Sequence, residues 1–284
     1  MNLDEINKEI KKVMDSKNKT GLSEFEGYSP EEMHHIIHFL FDEVCPVQLN
    51  QLSKEELNMI PILNGVKFLV NYLIENESIK LTVKGFLPTK IVAELYSQKY
   101  FAEEIIESGI SKLYKETDSL FVNISRILAE LSGIVKKAKG TLSLTAKGKK
   151  CLHNEQDLLE NLFRVYCRKF NWAYYDRYEM MDIGRLGCGF TLLLLNKYGD
   201  SKLNQNFYAQ KYFTAYPMLK ENVHSMYRTV DEYVANCYTL RSFDRFGRLF
   251  GLIQNDKGVK YKDPIMIQKS KLFDSIFKFV PTGN

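Results

Sequence analysis

Apolar residues recur at helical spacing along most of this chain, and short alternating stretches break the pattern at a few points. Between residues 61 and 75, Ile62, Val66, Leu69, Val70 and Leu73 share one helix face. Between 118 and 131, Leu120, Ile124, Ile127, Leu128 and Leu131 do the same. Residues 155–170, 182–198, 204–216 and 221–229 read as an all-helical block, and 230–250 as a further helix. Residues 4–14 read as a short charged helix, followed by a loop at 17–27. Two helix starts are marked by side-chain chemistry. Ser29 precedes Pro30 and Glu32, and Ser53 precedes Glu56, so each serine and glutamate can satisfy orphan amides reciprocally. Short strands are expected at 78–81, 134–137, 141–144, 252–254 and 265–268, and Ser270 opens a closing helix to 279. The expected fold class is mainly α with small β-hairpins (α+β). It divides into an N-terminal helix and loop (1–28), a helical region (29–153) and a helical block with a terminal hairpin (154–284).

One local order repeats: helix, glycine, short strand, basic turn, short strand, short helix. The central copy is LSGIVKKAKGTLSLTAKGKKCL at 131–152, with Lys139-Gly140 as the turn signal. A C-terminal copy, FGLIQNDKGVKYKDPIMIQKSKLFDSIF, has a longer wing, with a turn cluster at 255–258 and the return beginning at 259–262. A first copy, ESIKLTVKGFLPTKIVAELY, keeps the LTxKG element with a weak hairpin. This order resembles the end of winged-helix (winged helix-turn-helix) domains. The LTxKGxLP stretch also resembles a recurring element of uncharacterised bacterial proteins of unknown function, which brings no activity with it. The resemblance implies two or three winged-helix-like units joined by a helical block. It leaves the role open, since such units bind DNA, RNA or proteins, or mediate dimers.

Charge narrows the question. Lys plus Arg is 39 and Asp plus Glu is 35, a net +4, yet residues 133–150 hold six lysines and no acid. The basic excess is therefore local. Candidate nucleic-acid contacts are Lys136, Lys137, Lys139, Lys147 and Lys149 on and after the central hairpin, with Lys150 beside them, and Arg126 on the helix before it. Arg241, Arg245 and Arg248 follow at i, i+4 and i+7, one stripe on the helix before the C-terminal hairpin. Lysines on a wing could neutralise phosphates, and an arginine row could reach phosphates or guanine edges. The same residues have plainer readings. The lysines would suit a solvated turn, and the arginines an internal ion-pair row with Asp231, Asp244 or acids elsewhere. Arg126 is the sole basic residue of its helix and Glu130 is acidic, which fits a DNA reader poorly. Two functions follow: a nucleic-acid-binding protein with double-stranded DNA as partner, or an assembly module with a protein partner. A homodimer fits the paired half-sites of many DNA-binding winged helices.

Other clusters carry less. His34 and His38 share a helix face at metal-ligand spacing, but no third ligand cluster or HExxH order accompanies them. Gly184, Gly187 and Gly189 lack the dinucleotide order and a preceding strand, so close helix packing accounts for them better. Residues 164–178 interleave arginines with tyrosines, Phe170 and Trp172, a pattern suited to stacking on single strands or to helix packing. No nucleophile, paired-carboxylate or kinase motif is present, so a non-enzyme without cofactor or metal is expected. Five scattered cysteines without a CxxC pair and a charged first helix point to a cytoplasmic chain with reduced thiols. No apolar stretch is long enough to span a membrane.

Overall fold

The computed structural model describes residues 3–179, 182–221, 223–224, 228–256 and 265–280. The chain is mainly helical with small antiparallel sheets. In chain order the helices are α1 (Leu3–Lys19), α2 (Pro30–His38), α3 (Lys54–Asn58), α4 (Pro61–Asn76), α5 (Thr89–Ser97), α6 (Glu104–Glu107) and α7 (Leu120–Leu131). Then come α8 (Ala146–Lys150), α9 (Glu155–Arg168), α10 (Cys188–Tyr198), α11 (Gln205–Ala215), α12 (Val230–Thr239) and α13 (Lys271–Ile276). The strands are β1 (Val47–Leu49), β2 (Ser78–Lys80), β3 (Val135–Ala138), β4 (Thr141–Leu144), β5 (Leu203–Asn204), β6 (Ile253–Asp256), β7 (Met266–Lys269) and β8 (Phe277–Phe279). Two compact units form. Unit 1 holds Met1–Asn50, Trp172–Arg245 and Ile253–Asn284; unit 2 holds Gln51–Asn171 and Phe246–Leu252. The boundary expected at 153/154 falls inside unit 2. There α9 packs on α4 and α7, burying Leu158, Leu159, Leu162 and Phe163. The opening segment 1–28 and the stretch to Asn50 belong to unit 1.

Unit 2 is built around α4 and α7. The expected capping box starts α3, with Ser53 and Glu56 exchanging hydrogen bonds. Pro61 then opens α4, whose Ile62, Val66, Leu69 and Val70 are fully buried. Gly65 lets α7 approach closely: a Cβ there would lie 2.4 Å from the Ser125 hydroxyl. At the start of α7, Ser119 accepts from the Val122 amide and Glu103 accepts from the Leu120 amide at 2.8 Å. Gly133 ends α7 in the left-handed region, at φ 69°. The sheet order is β2-β4-β3, all antiparallel, with Ile79 opposite Leu142 and Val135 opposite Leu144 on the buried face. Residues 77–96 are therefore not a separate third copy. They supply the first strand, β2, and the middle helix, α5, to the central unit.

Unit 1 repeats that sequence of elements. α10, β5, α11, α12, β6 and β7 follow one another, and the sheet order is β5-β7-β6, again first, third, second. α2 carries the expected Ser29–Glu32 capping box, and its Ile36 packs against Gly189 of α10. Three helical expectations fail here. The helix expected from 182 begins only at Cys188, with 182–187 in turns. The described part of 221–229 is not helical, because Thr229 turns the chain as the cap of α12, bonded reciprocally with Glu232. The closing helix stops at Ile276, because residues 277–279 instead pair as β8 with β1, Phe277 opposite Leu49. Residues 259–262, expected to begin the return of the terminal hairpin, lie outside the described residues.

Glu26 gives unit 1 a defined acid response. Its side chain is 7% exposed and accepts hydrogen bonds from Lys197 and Lys211 at 2.8 Å and from Tyr198 at 2.5 Å. Burial opposes the charge, but these donors outweigh it and hold the carboxyl at about 2. A depressed folded value stabilises fully above the unfolded carboxylate range, and the benefit is lost as pH falls toward 2. Both lysines are partly solvated, so we expect the loss to amount to about 2–3 kcal/mol between about pH 5 and pH 2. Urea unfolding at several pH values should show it, and Glu26→Gln should flatten that part of the curve.

Candidate nucleic-acid interface

The hairpin that carries the lysines is fixed by its turn. Lys139 at φ 50° and Gly140 at φ 74° place both central residues in the left-handed region, the mirror-image turn that matches strand twist. The register then sorts the side chains. Lys136 lies opposite Ser143, which lies opposite Ser78; Ala138 lies opposite Thr141, which lies opposite Lys80. This face of the three-stranded sheet thus bears Lys80 and Lys136 around small residues and carries no acid. Lys137 falls on the Leu142 side, and its ammonium donates to the Gly85 carbonyl at 3.2 Å. That bond sets the turn Thr82–Val83–Lys84–Gly85 beside the hairpin. Gly85 closes this turn on Thr82 at 2.7 Å and occupies φ 79°.

The short helix after the hairpin is equally determined. Thr145 caps α8 by accepting from the Gly148 amide, and Gly148 lies so close to Ile134 that a Cβ would sit 2.0 Å from its carbonyl oxygen. Lys147, Lys149 and Lys150 occupy its last turn. Lys147 donates to the Ser132 carbonyl at 3.1 Å, which Asn161 also reaches at 3.2 Å, so this lysine helps close the end of α7. Lys80, Lys84, Lys136, Lys137, Lys139, Lys147, Lys149 and Lys150 are all exposed. Lys80 and Lys84 were missed from sequence because 77–96 read as part of another copy; Lys84, in the LTxKG element, was the available signal.

Residues 58–157 match the family model of the Y4jL N-terminal domain. The match lies wholly in unit 2 and contains α4, both turns, α7 and the lysine hairpin. No curated protein and no solved structure matches the chain.

Within the Y4jL-like stretch, Arg126 is not a surface contact. Its side chain is 8% exposed; Nε donates to Glu116 at 2.6 Å and Nη1 donates to Glu130. Burial opposes its charge, but the two carboxylates more than offset this and raise its pKa. The fully buried Glu116 also accepts from the Asn123 amide and from the Leu87 amide at 2.5 Å. Nearly all of α7 is covered; Leu131 is its one exposed side chain. It therefore has no polar face to lay in a groove.

The arginine stripe is likewise internal. In unit 1, Arg241 is fully buried, pairs with the buried Asp176 at 2.6 Å and donates to the Ile183 carbonyl at 3.1 Å. Arg245 is buried and donates to the carbonyls of Trp172, Tyr174 and Tyr175. Both sit in a π-helical stretch, Leu240–Gly247. The physical reason is that Trp172, Tyr174, Tyr175 and Ile183 present carbonyls to the inside of the fold that need donors, and the guanidinium forks supply them. In unit 2, half-buried Arg248 donates to the Ala102 carbonyl and lies 4.8 Å over the Phe101 ring. The stripe therefore faces protein at Arg241 and Arg245, with an ion pair to Asp176 at Arg241 and carbonyl contacts at Arg245 and Arg248.

The aromatic and glycine candidates are largely accounted for by packing. Tyr166, Phe170 and Trp172 of the 164–178 stretch are core residues, which fits helix packing, while Tyr175 is exposed. The His34 and His38 rings are 4.5 Å apart, and no metal-capable group of three His, Cys, Asp or Glu exists among the described residues. Gly187 is the cap of α10 at φ 68°, and a Cβ there would strike the Tyr216 ring. Among the described residues there is no helix long and apolar enough to cross a membrane.

Proposed function

We propose that this chain binds double-stranded nucleic acid through the sheet and hairpin of unit 2, gripping phosphates rather than reading bases with a helix. In this reading both helix–strand repeats are winged-helix domains. Their shared strand order, with an early strand added to the edge of a terminal hairpin, supports it. The observation that carries the reading is the exposed lysine set Lys80, Lys84, Lys136 and Lys139 around two adjoining turns, in a segment where 133–150 holds no acid. Each phosphate neutralised releases counterions, so binding of this kind is steeply salt-dependent and sequence-tolerant. The role is binding without catalysis. Thiols that form no disulfide suit a cytoplasmic protein.

Fluorescence anisotropy with a labelled mixed-sequence duplex, repeated over a range of salt, tests this. Log affinity should fall linearly with log salt, and Lys80→Ala/Lys136→Ala/Lys139→Ala should reduce the slope by about 2 to 3. Unrelated duplex sequences should bind within about threefold of one another, since α7 and the arginine helix are covered. No binding at low salt, or an unchanged slope in the variant, would overturn the reading. A second reading, a protein-assembly module, is favoured by one feature: Val83, fully exposed at the tip of the turn beside the hairpin. A Val83→Asp variant that left duplex binding intact but abolished capture of a defined partner would support it.

A further inference from the structure

We infer that α1 is a self-association helix, and that its occupant is α1 of a second copy of this chain running antiparallel. None of its side chains is buried. Leu3, Ile6, Ile10 and Val13 nevertheless follow the alternating three- and four-residue spacing of a coiled-coil seam, with Met14 beside it. These five side chains are 40–75% exposed. An apolar stripe held open along a 17-residue helix is a surface waiting for cover.

The charges choose the cover. The first half of the helix carries Asp4, Glu5 and Glu9 against Lys8; the second half carries Lys11, Lys12, Lys17 and Lys19 against Asp15. One half is thus net acidic and the other net basic. A parallel pair would set like halves together. An antiparallel pair centred near Lys8 sets Asp4 and Glu5 of each copy level with Lys12 and Lys11 of the other, with 14–19 running past the paired stretch, and it also opposes the two helix dipoles. With the pair centred near Lys8, Leu3 lies across from Val13 and Ile6 across from Ile10, so all four seam residues find apolar partners. The arrangement is two-fold symmetric, which a homodimer requires. It rests on unit 1 alone and is independent of the lysine face of unit 2.

Sedimentation velocity on the full chain over about 1–100 μM tests it. The expected mass rises from the 33.1 kDa of one chain toward twice that. Ile6→Asp/Ile10→Asp should remain at the single-chain mass throughout. The fold should survive in that variant, because α1 buries nothing, and circular dichroism checks this. Orientation is read by cross-linking. A mixture of Leu3→Cys and Val13→Cys chains should form a disulfide-linked dimer severalfold more than either chain alone. Efficient cross-linking of Leu3→Cys with itself would overturn the antiparallel pairing. A single-chain mass at every concentration would overturn self-association. So would α1-dependent co-sedimentation of that single chain with phosphatidylglycerol vesicles, which would assign the seam to a lipid surface instead.

Discussion

Arg241→Met is expected to lower the stability of unit 1 by about 3–5 kcal/mol, the cost of leaving one member of a buried ion pair alone. Arg241 and Asp176 are both at zero side-chain exposure, joined at 2.6 Å. Asp176 also accepts from the Tyr178 amide at 2.9 Å, so the pair holds the loop in place as well as neutralising charge. Methionine matches the length of the aliphatic stem but leaves Asp176 Oδ2 and the Ile183 carbonyl without the guanidinium donor. Asp176→Asn/Arg241→Met should recover part of the loss, because the uncompensated charge is gone. Trp172 reports this directly: it is the single tryptophan, it is buried, and its carbonyl accepts from Arg245. Urea unfolding followed by its fluorescence should shift markedly in Arg241→Met and little in the triple lysine variant. The salt slope of duplex binding should behave in the opposite way. An Arg241→Met protein as stable as the parent would remove the tether from this account.

The difference between those two variants marks what a linear sequence can disclose. Caps were legible because they are local. Ser29, Ser53 and Ser270 each bond an amide three residues on, and nothing remote decides the matter. Lys139-Gly140 was legible for the same reason, since a two-residue turn specifies its own backbone angles. The arginine stripe was not. Spacing at i, i+4 and i+7 puts guanidiniums in a row whether the row meets phosphate or protein. The deciding partner, Asp176, lies 65 residues away. The β1–β8 pair joins residues still farther apart, and Phe277–Phe279 read as helix because its apolar spacing suits either period. The first copy was misread as a separate unit on the strength of its LTxKG element. Only pairing with β4 shows that β2 belongs to the central unit.

The second large effect falls on the helix that sequence would nominate to read bases. Glu116→Ala is expected to cost unit 2 about 2–4 kcal/mol, somewhat less than the Arg241 change, because Arg126 keeps Glu130 as a partner. Glu116 is wholly buried and gathers three donors: the Leu87 amide just after the exposed turn, the Asn123 amide and the Arg126 guanidinium. Glu116→Gln keeps one acceptor oxygen but turns its NH2 toward a donor and loses the charge, so it should cost about 1–3 kcal/mol. Hydrogen exchange should show the loosening at Leu87 and along α7, since unit 2 contains no tryptophan to report it. Arg126→Met completes the test. If α7 is a core helix, this variant loses stability while its salt slope on duplex stays that of the parent. A slope reduced by about one would instead return that guanidinium to a phosphate and reopen α7 as a binding surface.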